Sequence, residues 1–343
     1  MRAVIEALCR GVHLSADEAE AVFRDVVHGA VSEIELAALL VALKAKGETP
    51  DEVAGAARAL WGAAVAFDRP DYLFADSCGT GGDGQGTINV STAVAFVSAE
   101  AGLPVAKHGN RAVSSRSGSA DVLDALGARV ELSPEAARRA LDDERFCFLF
   151  APQYHAGLRH AMGVRRALGV RTVMNLLGPL VNPARPPVQL MGVYDPGRVA
   201  SVARTLGLLG CRSALVVHGS GLDEIALHGP TTAARLHDGD VTEIELRPED
   251  AGVAPAPIEA LGGGTPAENA ASLVAVLQGR GTPAHTRAVA INAGALLWIA
   301  GKAESLREGT AAALDVIARG HAHERLVRFV ARSRGEEGPH AAA

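Results

Sequence analysis

Short apolar runs alternate with helical patterns from Leu73 onward, and this alternation constrains the fold more than any other feature of the chain. Strands that alternate with helices along a chain form a mainly parallel sheet flanked by helices. The predicted strands are the run at residues 72–74, Val105, and residues 129–132, 146–150, 190–194 and 214–218. Two further runs, residues 232–237 and 241–246, are joined by Asp238-Gly239, which predicts a β-hairpin. The sequence therefore predicts an α/β fold.

The first 70 residues carry the signals of a small, all-helical domain. Ser15 with Glu18 and Ser32 with Glu35 have the spacing of capping boxes, and Thr49-Pro50 marks a third helix start. An apolar stripe at helical spacing is formed by Leu36, Leu39, Leu40 and Leu43. Because so small a unit cannot cover its own stripe, we predict that it packs on the larger α/β domain.

The C-terminal part of the chain is predicted to be helical after one long loop. Residues 250–264 are rich in Pro and Gly, which predicts a loop crossing the surface. Alanine-rich helices are predicted from about residue 267 to residue 321. The tail, residues 334–343, is expected to fray.

Composition excludes several classes of protein. With 343 residues, 48% of them hydrophobic and 21% charged, the chain can bury a large core and is expected to form two domains. A net charge of −6 argues against nonspecific nucleic-acid binding. Four widely spaced cysteines without a CxxC pair indicate reduced thiols and no zinc site. Since no apolar run reaches the ~18 residues of a membrane span, we expect a soluble, cytoplasmic protein.

A glycine-rich segment, Gly79-Thr80-Gly81-Gly82-Asp83-Gly84, lies between a short apolar run and a helical pattern that begins near Asn89. Strand, glycine loop and helix follow one another in this order in phosphate-binding sites. Glycines allow positive φ angles, so successive N–H groups can form a nest for an anion. The segment lacks the Gly-Lys-Ser/Thr ending of a nucleotide P-loop. The segment is therefore a candidate phosphate-binding loop that differs from a nucleotide P-loop.

Two further segments suit phosphate groups. Asn89-Val90-Ser91-Thr92 supplies hydroxyl and amide side chains at the positive end of the next predicted helix. Lys107-His108-Gly109-Asn110-Arg111 follows a second apolar run and precedes hydroxyls at Ser114, Ser115, Ser117 and Ser119. Each segment alone is a weak signal. All three lie at the carboxyl ends of predicted strands, where open sheets bind ligands, so together they predict a site for a phosphorylated sugar.

These three segments resemble the signature blocks of the anthranilate phosphoribosyltransferase family. Further blocks that are similar to the family extend along nearly the whole chain: Val164-Arg165-Arg166, Leu168-Gly169-Val170-Arg171-Thr172, Asn175-Leu176-Leu177-Gly178-Pro179-Leu180, Gln189-Leu190-Met191-Gly192-Val193, Gly221-Leu222-Asp223-Glu224-Ile225 and Asn292-Ala293. Cys78 departs from the family pattern, in which an aliphatic residue is more common, without removing a polar group.

The resemblance implies a fold and an assembly. A small helical domain, residues 1–70 with a returning helical segment at about 160–188, is expected to pack on an α/β domain formed by residues 71–159 and 189–343. Pyrimidine nucleoside phosphorylases share this arrangement. The active site is then expected in the cleft between the domains, and a homodimer through the helical domain is expected, because its helices offer more apolar surface than one unit covers.

The resemblance also implies a reaction in tryptophan biosynthesis: transfer of the 5-phosphoribosyl group of phosphoribosyl pyrophosphate to the amino group of anthranilate. It assigns the donor to Gly79, Gly82, Asp83, Thr87, Asn89, Val90, Ser91, Thr92, Lys107, His108, Gly109, Asn110, Arg111, Ala112, Val113, Ser114, Ser115 and Ser119. It assigns anthranilate to Gly79, Asn110 and Arg165. It assigns Mg²⁺, two ions per subunit, to Ser91, Asp223 and Glu224.

No residue is expected to act as a general acid or base. The amine of anthranilate is already neutral near pH 7, so His108 and His155 are left outside the catalytic set. A planar guanidinium at Arg165 suits a carboxylate, and Asn110 can orient the amine. Carboxylate and hydroxyl oxygens, completed by substrate phosphates, suit magnesium.

Three alternatives compete with this interpretation. A pyrimidine nucleoside phosphorylase would share the fold but use inorganic phosphate without magnesium, and the Asp223-Glu224 pair counts against it. A relative that binds nucleic acid and has lost the enzyme would have eroded motifs and a basic groove, unlike this acidic chain. The more widespread phosphoribosyltransferase fold needs an apolar strand that runs into paired acids, and Asp142-Asp143 has no such strand before it.

Overall fold

The computed structural model describes residues 1–112 and 116–335 of the chain. The N-terminal part is helical and comprises α1 (Arg2–Cys9), α2 (Ala16–Val27), α3 (Glu33–Lys46) and α4 (Pro50–Gly62). Ser15, Ser32 and Thr49 each form a complete capping box with the glutamate three residues later, as their spacing predicted. Apolar side chains of α2, α3 and α4 pack together in one core.

A seven-stranded sheet forms the centre of the larger domain. Its strands are β1 (Ala75–Gly79), β2 (Val105–Gly109), β3 (Phe146–Phe150), β4 (Val188–Gly192), β5 (Ser213–His218), β6 (Thr231–His237) and β7 (Asp240–Leu246). Their order is β3-β2-β1-β4-β5-β6-β7, and β1 to β5 are parallel. The predicted hairpin is confirmed: β6 and β7 are antiparallel, and Asp238 and Gly239 have positive φ angles of 46° and 96°.

Helices cover both faces of this sheet. The helices after the N-terminal part are α5 (Val90–Glu100), α6 (Ser119–Ala125), α7 (Pro134–Glu144), α8 (Ala151–Tyr154), α9 (Arg159–Leu168), α10 (Val173–Leu180), α11 (Val199–Leu208), α12 (Pro266–Leu277), α13 (Pro283–Ile299), α14 (Leu306–Arg319) and α15 (His321–Ser333). Of these, α9 packs on α2 and α3. No helix among the described residues is long and apolar enough to cross a bilayer.

The sequence prediction was wrong at two strands. Residues 129–132 are not a strand. Val130 and Leu132 are buried and their neighbours are exposed, so burial alternates along the segment as it does in a strand. The segment lies beside the last helix instead of in the sheet: the N–H of Arg129 donates to Ser333 Oγ at 2.9 Å. The first strand lies at residues 75–79 and not at 72–74. It was missed because Asp76 and Ser77 are polar, although both are buried.

The two cores meet at the sheet. One core joins α5 and the C-terminal helices to one face, and the other joins the N-terminal helices, α9, α10 and α11 to the opposite face. The end of α10 is fastened to the sheet through its free carbonyl groups. His108 Nδ1 donates to the carbonyl of Gly178 at 3.2 Å, Gln189 Nε2 to that of Pro179 at 2.8 Å, and His155 Nε2 to that of Val181 at 2.8 Å. Two sheet side chains, His108 and Gln189, and His155 after α8 thus satisfy carbonyls that a helix end leaves unpaired.

Candidate active site

A cleft of about 310 Å³ opens at the carboxyl ends of β1 and β2. Strand order reverses between β1 and β4, and open α/β sheets bind ligands at such a point. The described lining residues come from four places: the end of β1 and the segment after it, the end of β2 and the segment after it, the segment after β5, and the start of α12 with the residues before it. They are residues 78–83 and 86–91, residues 107–112 and 116–119, Asp223-Glu224, and Gly264 with Asn269. The three segments that the sequence singled out therefore lie together.

The glycine loop, residues 79–86, owes its shape to backbone conformation. Gly81, Gly82, Gly84 and Gly86 have φ angles of 66°, 76°, 77° and 63°, a region that L side chains rarely adopt. The loop is held at its base, because the N–H of Thr80 donates to the carbonyl of Gly192 at 3.0 Å. Successive N–H groups in such a loop can form an anion nest.

Two glycines make room for the segment that carries the paired acids. A Cβ atom added at Gly79 would lie 2.3 Å from Asp223 Oδ2, and one added at Gly192 would lie 1.5 Å from the carbonyl oxygen of Asp223. A side chain at position 79 would displace the Asp223 carboxylate, and one at position 192 would collide with backbone. The strand ends of β1 and β4 therefore need glycine so that Asp223 and Glu224 can pass directly over them.

The two acids are unfavourable neighbours. Burial of the carboxyl group and the charge of Asp83 raise the pKa of Asp223 to about 6. Burial and the charge of Asp223 raise the pKa of Glu224 well above its usual range. The N–H of Gly81 donates to Asp223 Oδ2 at 2.6 Å, and Glu224 accepts the N–H of Ser91. A bound cation would relieve the repulsion between these carboxylates.

The residues present fit a magnesium ion that is completed by substrate phosphates. In the described parts of the chain, no three His, Cys, Asp or Glu side chains form a metal-binding group. Magnesium is usually held by one or two carboxylates, waters and phosphate oxygens, so a full protein cage is not required. Asp223, Glu224 and the hydroxyl of Ser91 supply oxygen ligands of the kind that magnesium prefers.

Lys107 is buried below this group with only 2% of its surface exposed. Its Nζ atom donates to the carbonyl of Ser77 at 2.5 Å and to Ser91 Oγ at 3.1 Å. Burial is the main influence on the Asp76 carboxyl group and raises its pKa to about 6, while the charge of Lys107 acts to lower it. The charge of Lys107 also acts to lower the pKa of Glu224. Asn182 Nδ2 donates to Asp76 Oδ2 at 2.9 Å. A buried set of polar groups thus supports Ser91 from below.

One wall of the cleft was not predicted from the sequence. Asn269, at the start of α12, donates through Nδ2 to Asn89 Oδ1 at 2.8 Å and accepts the N–H of Gly264 at 2.8 Å. Asn89 in turn donates to the carbonyl of Ser117 at 3.3 Å. Asn269 lies 180 residues from Asn89 in the chain, in a segment without a recognisable motif, so no local signal indicated it. Arg116 is a further unpredicted lining residue.

The predicted donor residues mostly line the cleft. Of those in the described part of the chain, Thr92 alone does not. It is fully buried in the first turn of α5, and no described residue forms a hydrogen bond with its hydroxyl. Val113, Ser114 and Ser115 lie outside the described residues. His108 lines the cleft as a neutral ring, because burial and the neighbouring His155 lower its pKa to about 3.

The predicted acceptor residues are not all together. Gly79 and Asn110 line the cleft, whereas Arg165 lies on α9 and is not among the described lining residues. Arg165 is half-buried, and its burial lowers the pKa of the guanidinium group. No described residue gives this side chain a hydrogen bond or an ion pair.

Comparison with known proteins first defines a class. Residues 2–64 match the model of the glycosyl transferase family helical bundle domain, and residues 71–323 match that of the glycosyl transferase family a/b domain. The fold described above is that of a glycosyl transferase with these two domains.

Relatives narrow the class. The chain is 71% identical over 334 residues, 97% of this chain and 96% of the relative, to anthranilate phosphoribosyltransferase of Sorangium cellulosum. The crystal structure of anthranilate phosphoribosyltransferase from Thermus thermophilus superposes with a TM-score of 0.92 at 45% identity and covers 96% of this chain and 99% of that one. The enzyme from Saccharomyces cerevisiae, in complex with PRPP and Mg, superposes with a TM-score of 0.84 at 27% identity and 94% coverage of each chain. The chain belongs to the anthranilate phosphoribosyltransferase family, as its motifs predicted.

Proposed function

We propose that this chain transfers the 5-phosphoribosyl group of phosphoribosyl pyrophosphate to the amino group of anthranilate, giving N-(5-phosphoribosyl)anthranilate and pyrophosphate in tryptophan biosynthesis. The observation that carries the proposal is the position of the glycine loop against Asp223 and Glu224 in a single cleft. A nest of N–H groups beside two carboxylates suits a phosphate chain together with its metal. Family membership and the yeast complex with PRPP and Mg support the same donor.

Catalysis is proposed to depend on stabilising the charges that develop in the transition state. Breaking the bond between the anomeric carbon and the pyrophosphate oxygen builds positive charge on the ribose and negative charge on the leaving group. The N–H groups of Gly82 and Asp83 are proposed to hold that leaving group and to stabilise its growing charge, whereas the N–H of Gly81 is donated to Asp223. Bound Mg²⁺ supplies further positive charge to the pyrophosphate. His108 takes no part in proton transfer because its ring stays neutral above about pH 3.

Two magnesium ions per subunit are proposed because the two acids have different surroundings. Asp223 accepts a hydrogen bond from the glycine loop. Glu224 accepts one from Ser91, and the positive charge of Lys107 acts to lower the pKa of Glu224. One ion would be held at Asp223 and Glu224 beside the glycine loop. The other would be held at Glu224 and Ser91.

For the acceptor, Asn110 and Gly79 are proposed to contact the anthranilate amine and ring, and Arg165 its carboxylate. A half-buried guanidinium without an acceptor among the described residues is a favourable place for a carboxylate. Since Arg165 lies outside the described cleft lining, the proposal requires α9 to approach the cleft when anthranilate binds.

The test is an assay of phosphoribosyl pyrophosphate consumption against a panel of aminobenzoates, with and without magnesium. Strong preference for 2-aminobenzoate and dependence on magnesium are expected. Phosphorolysis of pyrimidine nucleosides by inorganic phosphate without magnesium would instead support the first alternative. A binding shift with single-stranded DNA, in the absence of any transfer, would support the second.

A homodimer is proposed through an apolar surface of the helical domain. Ile34 and Val41 are 83% and 44% exposed, and they lie seven residues apart on the same side of α3. Met162 on α9 is 49% exposed, and its neighbour Gly163 lies against Glu33. The exposed apolar side chains therefore lie on two helices that pack against each other. A second copy of this chain is the proposed occupant, as the family resemblance implies.

Light scattering at micromolar protein tests this assembly. Twice the chain mass is expected for the wild type, and Ile34→Glu is expected to give the monomer with its helical content unchanged. A monomeric wild type would contradict the proposed dimer without affecting the proposed reaction. Cytoplasmic location stays a prediction.

A further inference from the structure

The cleft contains few cations for the ligand it is proposed to bind. Among the described lining residues, the cationic side chains are Lys107, Arg111 and Arg116. They face three acids, Asp83, Asp223 and Glu224. A phosphorylated sugar diphosphate carries several negative charges, so the number of cations that remain free to contact it matters.

Lys107 is already engaged. It is buried, two of its three N–H groups are donated to the carbonyl of Ser77 and to Ser91 Oγ, and its charge lies close to Asp76 and Glu224. The lysine therefore holds Ser91 and balances buried carboxylates. It has little capacity left for a phosphate group.

Arg111 is engaged as well. Its guanidinium forms ion pairs with Asp121, at 3.4 Å, and with Asp124, and it lies 5.6 Å from the centre of the Phe150 ring. Asp121 also accepts the N–H of Ala112 at 2.8 Å and of Gly118 at 2.9 Å. Arg111 and Asp121 thus fix the two ends of the loop after β2. This arginine shapes the loop and is neutralised by its own partners.

Arg116 is different. It lines the cleft, it is exposed, and none of the described residues forms a hydrogen bond or an ion pair with its side chain. The charge of Arg116 affects Glu268: the pKa of Glu268 is lowered mainly by hydrogen bonds from Thr265 and further by the charge of Arg116. Glu268 is already used as the cap of α12, where it accepts the N–H and the hydroxyl of Thr265 at 2.7 and 2.8 Å. Among the described lining residues, Arg116 is therefore the cation that remains free.

We infer that Arg116 binds a phosphate group of phosphoribosyl pyrophosphate and sets the affinity of the cleft for this donor. The inference rests on the proposed function and adds a donor contact that the sequence motifs did not assign. A guanidinium fork pairs with two phosphate oxygens at once, which a lysine ammonium cannot do. Arg116 lies beyond Arg111 on the same loop, so it can contact the donor without disturbing the ion pairs that shape the loop.

The test compares three variants of the full-length protein. Arg116→Gln removes the charge and keeps much of the side-chain length, and Arg116→Lys keeps the charge without the fork. As a control, Arg139→Gln removes another exposed arginine, which lies on α7 outside the described cleft lining. Binding of phosphoribosyl pyrophosphate with Mg²⁺ is measured by calorimetry, and steady-state constants for both substrates are measured on the same preparations.

Arg116→Gln is expected to raise the Kd for phosphoribosyl pyrophosphate about tenfold, the scale of one hydrogen bond to a charged group. The KM for anthranilate is expected to stay close to that of the wild type. Arg116→Lys should recover part of the loss, and Arg139→Gln should bind normally.

Two results would overturn the inference while leaving the proposed function intact. One is normal donor binding in Arg116→Gln, and the other is an equal loss in Arg139→Gln, which would indicate a long-range effect of net charge. A wild-type protein that neither binds nor consumes phosphoribosyl pyrophosphate would instead contradict the proposed function itself.

Discussion

The two sides of the cleft are built in different ways. The glycine loop, residues 79–86, presents backbone N–H groups, and its shape depends on φ angles and on the absence of side chains at Gly79 and Gly192. The opposite side, which we name the polar support, consists of Ser91 and the buried groups Lys107, Asp76 and Asn182. One side depends on steric room and the other on the balance of buried charge. Substitutions should therefore fail for different reasons on the two sides.

Gly192→Ala is expected to have the largest effect. The added methyl group would collide with the carbonyl of Asp223, which is backbone and cannot move away cheaply. Crowding of this kind costs roughly 1–3 kcal/mol of stability, and displacement of Asp223 and Glu224 should lower turnover at least ~10²-fold. Urea unfolding and steady-state assays of the purified variant measure the two effects.

Gly178→Ala is the matched control, because a Cβ atom at Gly178 meets nothing within 4 Å. It should retain nearly full activity. If Gly192→Ala were equally active, the steric account of the glycine side would be wrong.

Asp76 of the polar support is expected to make the stability of the protein depend on pH. The pKa of Asp76 is raised to about 6 in the folded protein, above its usual value near 3.8, so the folded state binds more protons between these pH values. Stability from this group is present at about pH 4 and is lost as the pH rises through about 6. Relative to Asp76→Asn, the wild type should lose roughly 2 kcal/mol between about pH 4 and pH 7.

Urea unfolding of both proteins across this pH range measures the difference directly. Asparagine keeps an acceptor for Asn182 and removes the ionisation. If the free energies of unfolding of the wild type and Asp76→Asn differed by the same amount at all pH values, the pKa of Asp76 would not be raised in the folded protein.

A smaller effect is expected at the cleft wall formed by Asn269 of α12 and Asn89. Asn269→Ala removes the hydrogen bond that holds the amide of Asn89 and leaves the charges of the cleft unchanged. Loss of one neutral hydrogen bond, about 1 kcal/mol, should raise the KM for phosphoribosyl pyrophosphate roughly fivefold. Asn89→Ala should have no further effect in the Asn269→Ala background, and additive losses would contradict the coupling of these two residues.

The glycine side could be predicted from the sequence, and so could Ser91 and Lys107 of the polar support, but Asp76 and Asn182 could not. Gly79 to Gly84 form a local pattern whose meaning depends only on backbone freedom, and their position after a strand followed from the alternation of elements. The roles of Asp76 and Asn182 depend on side chains that meet across 106 positions of the chain. A polar residue inside a strand also obscured β1, because alternation rules expect apolar residues there.

Cations are the residues whose surroundings the sequence could least predict. Lys107 and Arg111 were predicted to contact phosphate because their segment follows the second apolar run and both carry fixed charge. In the fold they already have partners: Ser77 and Ser91 for the lysine, Asp121 and Asp124 for the arginine. Charge can be read from a sequence, but whether a charge is already neutralised depends on tertiary contacts. The assignment of site residues and the domain boundaries stay predictions that the experiments above address.

The central claim is that the two acids beside the glycine loop act on the leaving pyrophosphate through magnesium. The most direct measurement is turnover as a function of Mg²⁺ concentration for the wild type, Asp223→Ala and Glu224→Ala, with anthranilate binding followed separately. We predict that each variant loses at least ~10²-fold in turnover while its affinity for anthranilate stays close to that of the wild type. Turnover like that of the wild type at ordinary magnesium concentrations would contradict the account.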